Sequence, residues 1–227
     1  MLTLNVAAQL ELLKKQIAEA CARVGRDPAG VTLVAVTKNH PVAVVQEALT
    51  AGQLDIGENY VQEMKTKVEE LGSGPRWHFI GTLQRNKVKF IAPWVHLIHT
   101  VDDPLLAEEI DKRAAQVGRR IPILLQVNVA GEAAKGGCAP EQARDLALAA
   151  SKLAHVEVRG LMTMPPFWPA EQVRPFFREL RRLRDQLQSE TSLRLPDLSM
   201  GMSADFEVAI EEGATLIRVG TALFGAR

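Results

Sequence analysis

The sequence predicts a single (β/α)8 TIM barrel with an extra N-terminal helix, and three observations predict it. Short apolar runs alternate with segments of helix length from residue 31 onward, the order that gives parallel strands joined by crossover helices. Eight such runs can be counted, and that number favours a closed barrel over an open sheet. The first run, Val31-Thr32-Leu33-Val34-Ala35-Val36-Thr37, has neither charge nor polar alternation, which marks a strand covered on both faces. No linker rich in Gly, Ser or Pro divides the chain, so residues 1–227 are expected to form one domain, at a length α/β barrels routinely occupy.

Leu4, Leu10, Leu13, Ile17, Cys21 and Val24 recur at helical spacing ahead of Gly25, so an amphipathic helix is expected over 3–24 with a glycine stop. After the first strand come the runs Leu54-Asp55-Ile56, Trp77 to Ile80, Leu97 to Thr100, Ile123 to Val129, Val156 to Met162, Leu198-Ser199-Met200 and Leu216 to Val219. Between them, residues 42–50, 61–71, 104–117, 141–153 and 171–188 have helix-forming composition. The segment Pro165-Pro166 to Pro169 reads as a rigid loop after the sixth strand.

Composition narrows the function classes. Lys plus Arg equals Asp plus Glu at 27 each, so no basic excess points to nucleic acid or an anionic membrane. Arg178 to Arg184 is locally basic, but Phe176, Phe177, Leu180, Leu183 and Leu187 recur there at helical spacing, which places the arginines on the solvated face of an amphipathic helix. No apolar run approaches the roughly 20 residues of a membrane span, and no secretory signal is recognisable. Cys21 and Cys138 lie far apart in no metal-like spacing, which fits a reducing compartment, the cytoplasm by default. The five histidines form no ligand pattern, so no metal is expected.

In a barrel, every strand exit delivers its next residues to one face, where active sites lie. Lys38 stands at the first exit. An ammonium in such a mouth is partly desolvated, which lowers its pKa and frees the amine to attack a carbonyl, as Schiff-base lysines do; on position alone, a solubilising lysine where the strand meets water is the better reading. The last two exits resemble a phosphate cradle. Ser203 stands where it would N-cap the helix holding Phe206, Val208 and Ile210, and Gly220-Thr221 follows the final strand. Arg218 shares a strand face with Gly220, pointing either to a ligand acceptor or to an acidic partner such as Glu207 or Glu211. His78, in an apolar run with no aspartate or serine motif nearby, reads as a structural histidine rather than part of a triad.

Together these residues make the chain resemble the pyridoxal 5′-phosphate (PLP) homeostasis family. The resemblance runs nearly end to end through Val34-Ala35-Val36-Thr37-Lys38, Gly57-Glu58-Asn59-Tyr60, His78-Phe79-Ile80-Gly81 with Leu83-Gln84 and Asn86-Lys87, Lys135-Gly136-Gly137, Leu161-Met162-Thr163-Met164, Leu198-Ser199-Met200-Gly201-Met202-Ser203 and Arg218-Val219-Gly220-Thr221. It implies a barrel similar to the N-terminal domain of alanine racemase and PLP bound as a Schiff base on Lys38. It also implies phosphate contacts from Ser203, Gly220 and Thr221, Asn59 and Met200 near the cofactor, and Arg218 at the pyridine nitrogen. Lys135 resembles a secondary lysine implicated in PLP transfer. Thr37 stands where family members commonly have serine, and Asn39-His40 where another lysine often follows.

An arginine facing the pyridine nitrogen cannot easily supply the proton that turns the ring into an electron sink. The resemblance therefore implies a non-catalytic carrier acting in intracellular PLP (vitamin B6) homeostasis and delivering PLP to apoenzymes, with no catalytic residue and a monomeric state. The alternatives are a weakly active PLP-dependent amino-acid racemase and a phosphate-ligand barrel using Lys38 on a sugar aldehyde, which the fold alone permits.

Overall fold

A computed structural model of the chain describes residues 5–72, 74–132 and 135–225. Eight parallel strands close into a barrel in sequence order: β1 (Thr32–Val36), β2 (Asp55–Glu58), β3 (Arg76–Phe79), β4 (Val95–Val101), β5 (Ile121–Gln126), β6 (Val156–Met162), β7 (Asp197–Met202) and β8 (Leu216–Val219). Closure is made by β8 on β1, where Val34 pairs with Arg218 and Ala35 with Val219. All eight expected runs are strands.

The helices are α1 (Val6–Arg23), α2 (Val42–Thr50), α3 (Val61–Leu71), α4 (Val88–Ile91), α5 (Pro104–Gln116), α6 (Ala143–Ser151), α7 (Ala170–Thr191), α8 (Phe206–Glu211) and α9 (Thr221–Phe224). Local chemistry sets their ends. Asn5 caps α1 by accepting from the Ala8 N–H at 3.1 Å, and Asp103 caps α5 by accepting from Leu106 at 3.0 Å, with Pro104 at the first helical position. α1 buries Leu10, Leu13, Ile17 and Cys21 against α8 and α9. Leu4, counted on its stripe, lies outside the described residues. The predicted solvated face of α7 is observed: Phe177, Leu180, Leu183 and Leu187 are buried, while the exposed Arg178 and Arg182 reach buried Glu212 and partly exposed Glu179 respectively.

Two layers of core result from strand alternation. One face of each strand packs on the helices, through Trp77, Phe79, Ile98, Ile123, Leu198, Met200, Ile217 and Val219 among others. The other face fills the barrel, where Val34, Leu97, Leu124, Met162 and Leu216 form a small apolar cluster. Barrels usually pack branched aliphatics there. In this barrel His78, His99, Ser199 and Arg218 occupy interior positions and are at most 4% exposed.

Candidate functional site

At the C-terminal mouth the strand exits enclose a cavity of about 380 Å³. Val36, Ile80, Met164 and Met202 supply apolar wall, and Lys38, Asn59, Ser203, Asp205, Arg218 and Thr221 converge on it. Apolar walls with a few placed polar groups are the composition of small-molecule sites.

Lys38 reaches this cavity from a tight turn. The His40 N–H donates to the Thr37 carbonyl at 3.0 Å, leaving Lys38 and Asn39 as the two central residues. Asn39 has φ 60°, a left-handed conformation that asparagine tolerates better than most residues, and its N–H donates to Glu63 Oε2 at 2.8 Å. A buried knot anchors the turn from behind. Lys67 Nζ donates to the Thr37 carbonyl at 2.7 Å and to Glu58 Oε1 at 2.6 Å, and the Thr37 hydroxyl donates to the same oxygen at 2.5 Å. Burial pushes the Glu58 carboxyl up against the opposing pull of Lys67 and Thr37.

Asn59 follows β2, and its position explains the glycine that ends the His78 to Gly81 segment. A Cβ on Gly81 would lie 2.1 Å from the Asn59 carbonyl oxygen, so only glycine permits this approach. Asn59 Oδ1 is buried with no hydrogen-bond partner, an orphaned acceptor in the cavity wall that fits a ligand donor.

Ser203 does not cap α8; that position belongs to Asp205, whose Oδ1 accepts from the Met202 N–H at 2.6 Å. The Ser203 hydroxyl instead accepts from Gly220 at 3.3 Å and Ala222 at 3.2 Å. It ties the seventh exit to the start of α9, bringing Ser203, Gly220 and Thr221 onto one wall. Burial raises the Asp205 carboxyl, with the Met202 N–H and Arg218 opposing.

Arg218 pairs with neither Glu207 nor Glu211, which bind Arg23. Its Nη1 donates to Ser199 Oγ at 2.5 Å and its Nη2 to the Thr163 carbonyl at 2.9 Å. Burial brings the guanidinium down to about 10. His78 is not alone either: Asp55 and His99 flank it at 3.0 and 2.9 Å, brought from neighbouring strands that no local motif could reveal.

Two expected site residues lie elsewhere. Met200 is fully buried on the helix-facing side of β7 with Leu198, because strand alternation gives both the same face. Gly201, at φ 92°, then breaks the alternation and turns Met202 into the cavity. Lys135 stands outside the cavity, donating to the Pro165 carbonyl at 2.5 Å with Nζ 5.3 Å from the centre of the Phe167 ring. Its neighbours Ala133 and Ala134 lie outside the described residues. Phe167 and Trp168 do line the cavity, although 81% and 53% exposed; the sequence offered only a rigid loop there, and their signal was two aromatics in a proline-bounded loop. Among the described residues, no cluster of His, Cys, Asp and Glu could hold a metal ion, and no helix is long and apolar enough to cross a membrane.

The alanine racemase N-terminal domain family matches residues 9–227. The pyridoxal phosphate homeostasis protein of Aquifex aeolicus is 47% identical over 226 residues, covering 99% of each chain. The chain belongs to the pyridoxal phosphate homeostasis family. Its Pseudomonas aeruginosa member is 44% identical over 224 residues, covering 98% of this chain and 96% of that one. A solved structure of PipY from Synechococcus elongatus with PLP bound matches at TM-score 0.82 and 41% identity, covering 92% of this chain and all of that one.

Proposed function

We propose that this chain binds PLP in the C-terminal cavity and serves its homeostasis, holding the cofactor and releasing it to apoenzymes rather than turning over a substrate. The carrying observation is the convergence of Lys38, Arg218 and the Ser203–Gly220–Thr221 wall on one cavity. In this reading Lys38 Nζ holds the aldehyde carbon covalently. Ser203, Gly220 and Thr221 hold the phosphate, Asn59 Oδ1 accepts from a cofactor donor, and Arg218 faces the ring nitrogen. Met202 takes the place expected of Met200. Family membership and the PLP-bound relative support the assignment.

Bound PLP supplies an electron-withdrawing ring that stabilises negative charge on an attached carbon. This chain's residues work against using it. Arg218 can only donate, and a guanidinium does not readily give up a proton to the ring. The ionisable residues lining the cavity are Lys38, Asp205 and Arg218. Asp205 Oδ1 accepts from the Met202 N–H, and among the described residues no other carboxylate and no imidazole lines the cavity. Lys135, holding the Pro165–Pro169 loop from outside, is proposed as a latch on cofactor exit. A monomeric binding unit is part of this proposal, and the two buried, unbridged cysteines suit the cytoplasm.

Titration of the purified protein with PLP tests the reading by absorbance. A saturable visible band that disappears in Lys38→Ala is expected; an unchanged band in that variant would sink it. Solvent-deuterium exchange at an amino-acid α-carbon should stay at the level of free PLP, and exchange well above it that requires Lys38 would make the protein an enzyme.

A further inference from the structure

A hydrogen-bonded chain crosses the barrel interior from its N-terminal mouth to the cavity. Asp55 Oδ1 lies 3.0 Å from His78 Nε2, and His78 Nδ1 lies 2.9 Å from His99 Nε2. His99 Nδ1 lies 2.8 Å from Ser199 Oγ, which accepts from Arg218 Nη1 at 2.5 Å. Five strands, β2, β3, β4, β7 and β8, each contribute one member, and all five residues are at most 6% exposed.

Proton bookkeeping selects one direction along this chain. Arg218 has only donors, so Ser199 Oγ accepts from it and gives its single hydroxyl proton to His99 Nδ1. At the other end, Asp55 is held by Arg76 at 2.7 and 2.5 Å. Burial raises its carboxyl, but the hydrogen bonds from His78 and Arg76 outweigh that and bring it down to about 2. An ionised Asp55 only accepts, so His78 carries its proton on Nε2. His78 Nδ1 is then an acceptor, filled by His99 Nε2–H. Each link is satisfied with both imidazoles neutral. Reversing the direction leaves the Ser199 hydroxyl proton without an acceptor among the described residues, a costly state in a dry interior. Burial, reinforced by the charge of Arg218, also holds the His99 imidazole well below its usual range.

We infer that Asp55, His78, His99 and Ser199 are positioning residues for Arg218: by fixing Ser199 as an acceptor they pin one part of the guanidinium, with the Thr163 carbonyl pinning another, and leave its remaining N–H groups for the ring nitrogen of a pyridine aldehyde in the cavity. The assignment rests on the PLP reading above. It explains how a guanidinium with no ion pair among the described residues sits 4% exposed in the barrel: Ser199 and the Thr163 carbonyl accept from it, and the Asp205 carboxylate acts on it from the cavity side. The charged and titratable groups around the chain are Arg76 and His96 beside its start, and Asp205 and Lys38 beside its end.

Nitrogen-15 NMR of the imidazoles in the protein without PLP reads the direction directly. Between about pH 6 and 8 His99 is expected as the neutral Nε2–H tautomer, its Nε2–H donated to His78 Nδ1. A proton on His99 Nδ1 in that range would overturn the chain whether or not PLP binds. The second arm measures PLP affinity and the pH midpoint of the visible band in Ser199→Ala, Ser199→Thr and His99→Phe. Ser199→Ala and His99→Phe are expected to weaken PLP binding at least about ten-fold, the loss for a hydrogen bond to a charged group, and to move the midpoint. Ser199→Thr, which keeps the hydroxyl, should stay within about two-fold of the unmodified protein. Ser199→Ala removes one oxygen and keeps the test open should His99→Phe not fold. Loss of thermal stability with affinity and midpoint unmoved would reduce the chain to scaffolding. An unmodified protein that binds no PLP would instead defeat the cofactor reading, leaving the imidazole result to judge the chain.

Discussion

At the N-terminal mouth Arg76 grips Asp55 at 2.7 and 2.5 Å, and Arg159 reaches Asp197 at 2.8 Å, so these charges meet their opposites within the protein. At the C-terminal mouth Arg218 has no ion pair among the described residues, and Asn59 Oδ1 has no partner at all. The two ends share residue types and strand geometry, yet it is the C-terminal cavity whose described lining holds an unpartnered amide oxygen and an arginine without an ion pair for a ligand to complete. That difference locates function on this barrel better than cavity size does, since the N-terminal mouth also encloses a comparable volume, about 410 Å³ lined by Asp55, Arg76, His96, Arg159 and Asp197.

Substitutions at the two ends should therefore separate binding from stability. The largest effect is expected for Lys38→Ala, which should abolish covalent PLP retention after gel filtration while the melting temperature of the PLP-free protein stays within a few degrees. Gly81→Ala comes next: its Cβ would meet the Asn59 carbonyl oxygen at 2.1 Å, and chemical denaturation should show a loss of about 3 kcal/mol or more, because backbone must move. Ser203→Ala removes the acceptor for the Gly220 and Ala222 N–H groups and should weaken PLP binding about ten-fold by fluorescence titration.

Acid stability probes the opposite end. The Asp55 carboxyl is lowered from 3.8 to about 2 in the folded chain, so its contribution is present above the unfolded value and is lost as pH falls through the folded one. Melting curves should show about 1–2 kcal/mol disappearing across that window, allowing for solvent screening at the mouth, and Asp55→Asn should flatten it. The smallest effect is expected for Arg159→Ala. Its partly exposed pair with Asp197 contributes about 0.5 kcal/mol, and PLP affinity should not change. A large affinity loss there would break the contrast between the mouths.

The strands and crossover helices were legible because apolar runs such as residues 31–37 and helical stripes such as that of α7 are local patterns. Lys38, Ser203, Arg218 and Gly220 were legible as strand exits for the same reason. The polar chain was not, since His99 and Ser199 are 100 residues apart in sequence and meet only once the barrel closes. A parity reading would have found part of it: His78, Ser199 and Arg218 each sit between apolar neighbours in a strand, the signature of polar groups pointing inward. The same parity places the Met200 side chain on the helix-facing side with Leu198. The role of Ser203 escaped because its acceptor bonds run to the next strand exit rather than to the helix that follows it in sequence.

The central claim is that Lys38, at the mouth that protein charges leave incomplete, holds the cofactor. Borohydride reduction of the PLP-loaded protein followed by peptide mapping tests it most directly. The pyridoxyl mass should fall on the peptide containing Lys38 at close to one per chain. A label confined to Lys135 or spread over surface lysines would contradict the account.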